Sequence, residues 1–517
     1  MDTQVLIIGG GATGTGLARD LALRGVECIL VEKKDINAGA SGANHGLLHS
    51  GARYVSSDPA TAGECRDEGT LLKKLAPHCI EDTGGLFVAV RGDDEKYVAD
   101  FPHFCEQAGI PTRALDVKEA RELEPVLSEK LIAAYAVEDA SIDPFTLSME
   151  NILQAQRLGT RLMTYTQVLA FKREGRRIVS VRVKNSKTGE ETTIQADQVV
   201  NASGAWAGEL AKLAGASIPV LYSKGSLLIA HDRITERVIN RLRKASDADI
   251  LVPGGTVSIL GTTSIRIDDL RDIRPTIREM DAIVDNGAAM IPALETTRYI
   301  RAYAGVRPLI GNQGGGSDRS VSRGYALLDH AETGLENFST ITGGKLTSYR
   351  LMAEKAADMV CKRLGVSSPC LTKTQPLPSD PDCEWAEPSH SLRQWMRAHD
   401  PDDILLCECE MVPRSAIDKI ITSVREQGDN PGLRGISVRS RMGKGACQGA
   451  FCGVRVLAHM YDREEFTTRQ GLDNLRDFIR ERWKGQRPIL WDGQLIQEEL
   501  TEALHCGLLG LELVNNE

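Results

Sequence analysis

The chain has 517 residues, 42% hydrophobic and 26% charged, enough for two to four domains around a substantial core. Its net charge of −9 argues against a broad nucleic-acid face, and no stretch approaches the roughly 20 consecutive apolar residues that span a bilayer. MDTQVLIIGG runs straight into a strand-like segment with no basic leader, so the expectation is no signal peptide and a reducing, cytoplasmic setting for the twelve cysteines.

The first element sets the fold class. In QVLIIGGGATGTGLARDLALRG an apolar run leads into Gly9, Gly11 and Gly14, followed by a helical pattern. Such glycines permit the tight turn, the approach of backbone to a pyrophosphate, and close helix–strand packing. A second strand, CILVE, ends in Glu32, eighteen residues beyond Gly14, where a carboxylate can accept from a ribose diol. Short apolar runs and helical patterns then alternate to about residue 365, which predicts an α/β architecture. Its expected form is a Rossmann-like FAD-binding domain interleaved with a substrate-binding α+β domain, together spanning residues 1–365.

The next segment, NAGASGANHGLLHSGARY, is small, polar and glycine-rich, with Ser41 inside it, and suits a stretch running along a flavin. Further on, VVNASGAW offers Asn201 to Gly204, with Ser203 and Gly204 as a second small-residue approach to the cofactor. Near the domain's end, ITGGKLTSYR places Gly343 and Gly344 before Lys345, Leu346 and Thr347, where helix N-terminal amides can face the electron-rich end of an isoalloxazine. Together these favour FAD over NAD. His49, Arg53, Tyr54, Lys224, Arg307 and Lys345 are the polar residues expected near that flavin, and several cations suit a small anion, ideally a phosphate gripped by arginine. Arg307, in AGVRPL between apolar neighbours, is an odd place for an idle surface charge.

Residues 366–403 read as a linker, broken by Pro376, Pro378, Pro381 and Pro388, with Asp380, Asp382 and Glu384 adding charge. Residues 404–456 carry Cys407-x-Cys409 and Cys447-x4-Cys452. Four thiolates can hold a [2Fe–2S] cluster or a structural zinc. The one-residue gap fits zinc knuckles poorly, while Gly445, Gly449 and Gly453 let backbone approach inorganic sulfur. Both alternatives stay open. In residues 457–517 the basic run RDFIRERWKGQR is either a solvated face or a surface for a partner or anionic lipid. The last stretch, LIQEELTEALHCGLLGLEL, predicts an amphipathic helix packed on its own domain.

The stretches GGGATGTGLARDLALRG, HGLLHSGARY, KGSLLI, SDADILVPGGTVSILGTTS, AYAGVRPL and ITGGKLTSYRLMAE resemble those of the FAD-dependent glycerol-3-phosphate dehydrogenases. With the cysteine-bearing tail, the chain is similar to the A subunits of the anaerobic members, and that tail to the bacterioferritin-associated ferredoxin-like [2Fe–2S] domain. The resemblance implies oxidation of sn-glycerol 3-phosphate to dihydroxyacetone phosphate by hydride transfer to FAD. It implies Arg53, Tyr54 and Arg307 on the substrate's phosphate and hydroxyls, Lys345 near flavin and substrate oxygens, and Lys224 as a weaker neighbour. It implies electrons passed through the cluster towards a quinone, with two partners: a second subunit of flavin type, and an iron–sulfur subunit docking the complex at the inner face of the cytoplasmic membrane. Single-subunit respiratory relatives carry a histidine after the Lys-Gly-Ser motif; here that position is Leu227. His49 is therefore the favoured base, with Lys345 or water as the other exits for the proton. The alternative reading keeps fold and FAD but oxidises another 2-hydroxy acid or an amine.

Overall fold

The computed structural model describes residues 1–310, 324–379, 384–387, 390–426 and 430–511. Asp380, Pro381, Asp382 and Pro388, part of the basis for expecting a linker, lie outside the described residues.

The chain weaves between two sheets. It starts in the first with β1 (Asp2–Ile8), α1 (Ala12–Leu23) and β2 (Cys28–Val31), then crosses by α2 (Pro59–Leu75) to the second for β3 (Gly85–Val90) and β4 (Leu131–Val137). It returns for α3 (Pro144–Arg157), β5 (Arg161–Met163) and β6 (Glu191–Asn201). It leaves again for β7 (Val220–Ala230), β8 (Val257–Gly261), α4 (Ile277–Met290) and β9 (Tyr299–Ile310), and comes back for β10 (Phe338–Gly343) and α5 (Tyr349–Leu364). Several boundaries follow from local chemistry. Asp58 and Asp143 cap α2 and α3 by accepting from their first-turn amides, each followed by a proline whose missing N–H costs nothing there. Thr276 and Glu279 form a reciprocal capping box on α4.

In the first sheet, β5, β2, β1, β6 and β10 run parallel, with Ile7 beside Leu30 on one side and Val200 on the other. A parallel sheet has both faces covered, and β1 and β2 read accordingly as nearly unbroken apolar runs. Helix α1 lies against α3 and α5. Its small residues permit this: a Cβ on Gly16 would stand 3.0 Å from the Tyr349 ring. In the second sheet β7 and β9 pair antiparallel along almost their whole length, from Val220↔Ile310 to Ala230↔Tyr299. The cofactor cavity opens between the two sheets.

Beyond residue 365 the chain does not swing free. Arg19 on α1 donates to the carbonyls of Gln375 and Pro376, Thr372 donates to Asp20, and Leu377 is buried. The remainder forms a helical module of α6 (Arg414–Glu426), α7 (Leu433–Val438), α8 (Cys452–Asp462) and α9 (Gln470–Trp483). One hydrophobic cluster runs through it from Trp385 to Leu511, so residues 404–456 and the segment after 456 share a core rather than forming separate units. The final helix, Asp492–Glu502, continues as a wider turn to Leu508 and leaves Ile496, Leu500 and Leu508 exposed, at 68%, 56% and 77%. The expectation that this helix buries its apolar stripe on its own domain is thereby corrected. Among the described residues no helix is long and apolar enough to cross a membrane.

Candidate functional site

A cavity of about 2250 Å³ runs between the two sheets and the C-terminal module. At one end the N-terminus of α1 forms the expected cradle. Gly9 has φ +118°, and a Cβ there would press on the Ala202 carbonyl at 2.6 Å. A Cβ on Gly14 would sit 1.9 Å from the Gly9 oxygen, so neither position accepts another residue. Gly11 leaves room for Ser41, whose Oγ accepts from Ala12 N at 2.9 Å. Glu32 is fixed at the end of β2 by Gly10 N at 2.8 Å and Lys34 N at 2.9 Å. Ser203 donates to Asn201 at 2.6 Å, and Gly204, in the left-handed region at φ +57°, offers its carbonyl to Thr342. Gly344, Lys345 and Leu346 line the far end, and Thr347 accepts from His49 N at 3.1 Å. An extended dinucleotide fits these residues: glycine cradle, ribose acid and small-residue floor lie along one continuous space.

The polar residues gather beside that floor. His49 is buried, with Nε2 3.5 Å from the Tyr54 hydroxyl and the two rings edge to face. Lys345 Nζ stands 4.3 Å over the Tyr54 ring. Burial, then His45, Lys345 and Arg53, hold the His49 imidazole well below its ordinary 6.5, so it is neutral rather than titrating near working pH. Arg53 is anchored by one arm, Nη2 donating to Asp249 at 2.9 Å and to the Ser246 carbonyl, while Nη1 is buried without a hydrogen-bond partner. Arg307 donates to the Thr263 carbonyl and the Thr262 hydroxyl. Its guanidinium lies across the next strand, where a Cβ on Gly225 would be 2.4 Å away, and the adjacent Gly305 receives the Ala43 carbonyl in the same manner.

Lys224 is the correction. Strand alternation turns Gly225, Leu227 and Ile229 of β7 to the cavity and Lys224 and Ser226 to the other face. There Lys224 Nζ donates to Glu279 at 2.8 Å and to the Arg274 carbonyl at 2.7 Å. Glu279 also accepts from Ser226, Thr263 and Thr276, and it is the acidic partner of α4's capping box. Lys224 therefore secures α4 and does not reach the cavity. Leu227 does face it, opposite Tyr303.

His45 was missed from sequence, although it lies in the same glycine-rich segment as His49. It lines the cavity with its ring 6.1 Å from that of His49. Burial, then Arg307 and Arg53, push it down to about 3, so both guanidiniums act on one buried point. Asp249, which orients Arg53, was also missed; its signal was a lone carboxylate inside the apolar run ADILV.

At the cysteines, Cys407 and Cys409 sulfurs are 3.8 Å apart and those of Cys409 and Cys447 3.9 Å. Hydrogen bonds from Cys409 and Cys452, and then from the Glu410 and Gly443 amides, bring Cys407 down to about 4. Cys447 is lowered likewise by Cys409, Cys452 and the Phe451 and Gly449 amides. A Cβ on Gly445 would stand 2.7 Å from Cys409 Sγ, so bare backbone faces sulfur there. Clustered thiols with amide donors and glycine clearance suit a thiolate-held metal group. Among the described residues no set of three or more His, Cys, Asp or Glu is already closed to metal-binding geometry.

The fold and cavity define an FAD-dependent oxidoreductase. The family model described as "FAD dependent oxidoreductase" matches residues 4–359. The chain is 43% identical to the A subunit of the anaerobic glycerol-3-phosphate dehydrogenase of Escherichia coli K12, over 99% of this chain and 97% of that one. It is 39% identical to the A1 subunit of the Haloferax volcanii enzyme of the same name, over 98% and 90%. The solved FAD complex of glycerol-3-phosphate dehydrogenase from Bacillus halodurans shares the fold with a TM-score of 0.66, at 21% identity over 95% of this chain and 96% of that one. The chain belongs to the FAD dependent oxidoreductase family and, within it, to the family of anaerobic glycerol-3-phosphate dehydrogenase A subunits.

Proposed function

We propose that this chain oxidises sn-glycerol 3-phosphate to dihydroxyacetone phosphate, and that its electrons leave through a [2Fe–2S] cluster towards a quinone. The observation that carries the substrate reading is the pairing of a neutral buried His49 with Arg53, Arg307 and Lys345 in the cavity that holds the dinucleotide cradle. Gly9, Gly11, Gly14, Glu32, Ser41, Ser203, Gly204, Gly344, Leu346 and Thr347 would hold FAD. Bound there, FAD supplies the acceptor for the C2 hydrogen and its electron pair.

The chain's own residues do the rest. Arg307 and the unpartnered Nη1 of Arg53 grip the phosphate, which a neutral amine substrate would not require. Burial is the main reason His49 stays deprotonated, and a dianion between them offsets the cationic repulsion that adds to it, making the imidazole a stronger base once substrate is present. His49 then takes the C2 hydroxyl proton, while Tyr54 and Lys345 orient the hydroxyl oxygens. An iron–sulfur group on Cys407, Cys409, Cys447 and Cys452 would supply one-electron transfer outward. The relatives are named as A subunits, and we assign this chain the corresponding place. Its partners would be a second subunit of flavin type, with an iron–sulfur subunit that docks the complex at the inner face of the cytoplasmic membrane.

Arg307→Leu tests the phosphate grip. The expected result is a loss of about 10²–10³ in kcat/KM for sn-glycerol 3-phosphate with FAD content unchanged, from removing one partner of a desolvated charge pair. Undiminished kcat/KM would remove the phosphate reading and favour a hydroxy acid or amine.

A further inference from the structure

The C-terminal module closes one wall of the cavity, and there the lining is basic. Arg301 comes from β9, Arg434 from α7, Arg441 and Lys444 from the loop before Cys447, and Arg482 from α9. The basic run of residues 476–487 therefore turns part of itself inward, correcting the expectation of a purely outward face. Arg301 and Arg307 share the cavity face of one strand but stand six residues apart. At about 3.3 Å per residue that is roughly 20 Å, so this chamber is separate from the clamp beside His49.

Its charges are poorly balanced. Arg441 has its counterions, Nε donating to Glu410 at 2.9 Å with Asp143 at 3.6 Å. Among the described residues the others form no ion pair. Lys444 Nζ is buried with no hydrogen-bond partner, 4.8 Å over the Phe145 ring. Arg301 Nε is buried and unpartnered, its guanidinium 5.2 Å over Tyr303. Arg482 donates to the Ser437 hydroxyl and lies over Phe478. Asp143 is the main negative charge acting on Lys444, and the Cys452 sulfur and then Glu481 act on Arg482, while Glu481 is itself shared among Arg434, Lys484, Lys34 and Arg301. Enclosed cations without counterions are costly, and the cost disappears when an anion joins them. Burial and mutual repulsion accordingly push Lys444 down to about 8 and Arg482 to about 9.

We propose that this chamber is a second anion site, in which Arg301, Lys444 and Arg482 grip a phosphate-type oxyanion across the seam between the cofactor domain and the C-terminal module. Cations from three separate elements suit a multivalent tetrahedral anion, which accepts from several sides, better than a planar carboxylate. Inorganic phosphate or a phosphate ester offers that chemistry, and so does the pyrophosphate of FAD. The inference rests on the reading that this cavity holds FAD.

The test is calorimetric titration of the FAD-loaded chain with inorganic phosphate, on an Arg53→Met, Arg307→Leu background so that neither arm of the substrate clamp contributes. FAD affinity of the apoprotein is measured in parallel by flavin fluorescence. For a free anion, the background binds phosphate and adding Arg482→Met or Lys444→Gln weakens it at least tenfold, with FAD affinity unchanged. For the cofactor's pyrophosphate, the loaded background binds no phosphate and either substitution weakens FAD at least tenfold. Neither titration responding to Arg482→Met or Lys444→Gln would overturn the site. Because the clamp is already removed, that result says nothing against glycerol phosphate as substrate. If Arg482→Met fails to fold, Lys444→Gln carries the comparison.

Discussion

The cofactor cavity and the cysteine module solve the problem of buried reactive groups in different ways. In the cavity each charged group comes from a distant part of the chain and is framed by a polar neighbour. Asp249 holds one arm of Arg53, Thr262 and Thr263 hold Arg307, and Thr347 fixes the backbone of His49. In the module four thiols come from two short segments and lean on one another, with sulfurs 3.8 and 3.9 Å apart and backbone amides as their other support. The first is a finished protein surface awaiting ligands. The second is a set of thiols in which Cys409 and Cys452 donate to Cys407 and Cys447 and hold them as thiolates, an arrangement that suits a metal group.

That contrast can be broken most sharply at the thiols. Cys452→Ser is expected to abolish bound iron and any broad long-wavelength absorption in anaerobically purified protein, while FAD content stays full; retained iron would remove Cys452 from the ligand set. Next in size, His49→Asn should lower kcat by about 10³, within the range for losing a general base. Since the reactive form is neutral imidazole and its protonation is pushed well below 6.5, the parent's kcat/KM should show near that pH only the single ionisation of the substrate's phosphate monoester, at about 6. A second proton in that acid limb, absent in His49→Asn, would contradict the environment described. Lys224→Met should cost about 3 kcal/mol of stability by leaving Glu279 buried without its cation, yet leave KM for sn-glycerol 3-phosphate within about twofold. A large KM effect would return Lys224 to the substrate site. The last effect is absent near neutral pH and concerns His45, held neutral in the fold down to about pH 3. Its unfolded form binds the proton from about 6.5 downward, so stability is lost as pH falls below 6.5, by about 1.4 kcal/mol per unit from this group. His45→Gln should flatten acid unfolding curves by that share.

The cofactor cradle was legible because its signals are local. A strand, three glycines, a helix and an acid occur in one short span. Lys224 was misplaced because motif proximity says nothing of which face a strand presents: one residue separates the cavity-facing Gly225 from the lysine that anchors α4. His45 was passed over because nothing in sequence tells a cavity histidine from a packed one. The inward turn of Arg482 and the outward stripe of Ile496, Leu500 and Leu508 depend on how the module docks, which helical periodicity does not encode.

In the function proposed above, one chain joins substrate oxidation at FAD to a metal group at its C-terminal thiols. A visible spectrum of the anaerobically purified protein, before and after sn-glycerol 3-phosphate, tests it most directly. A flavin band with broad absorption to longer wavelength, both bleached on addition, is the expected result. A flavin band that this substrate leaves unchanged, or one that bleaches with no broad absorption beside it, would contradict it.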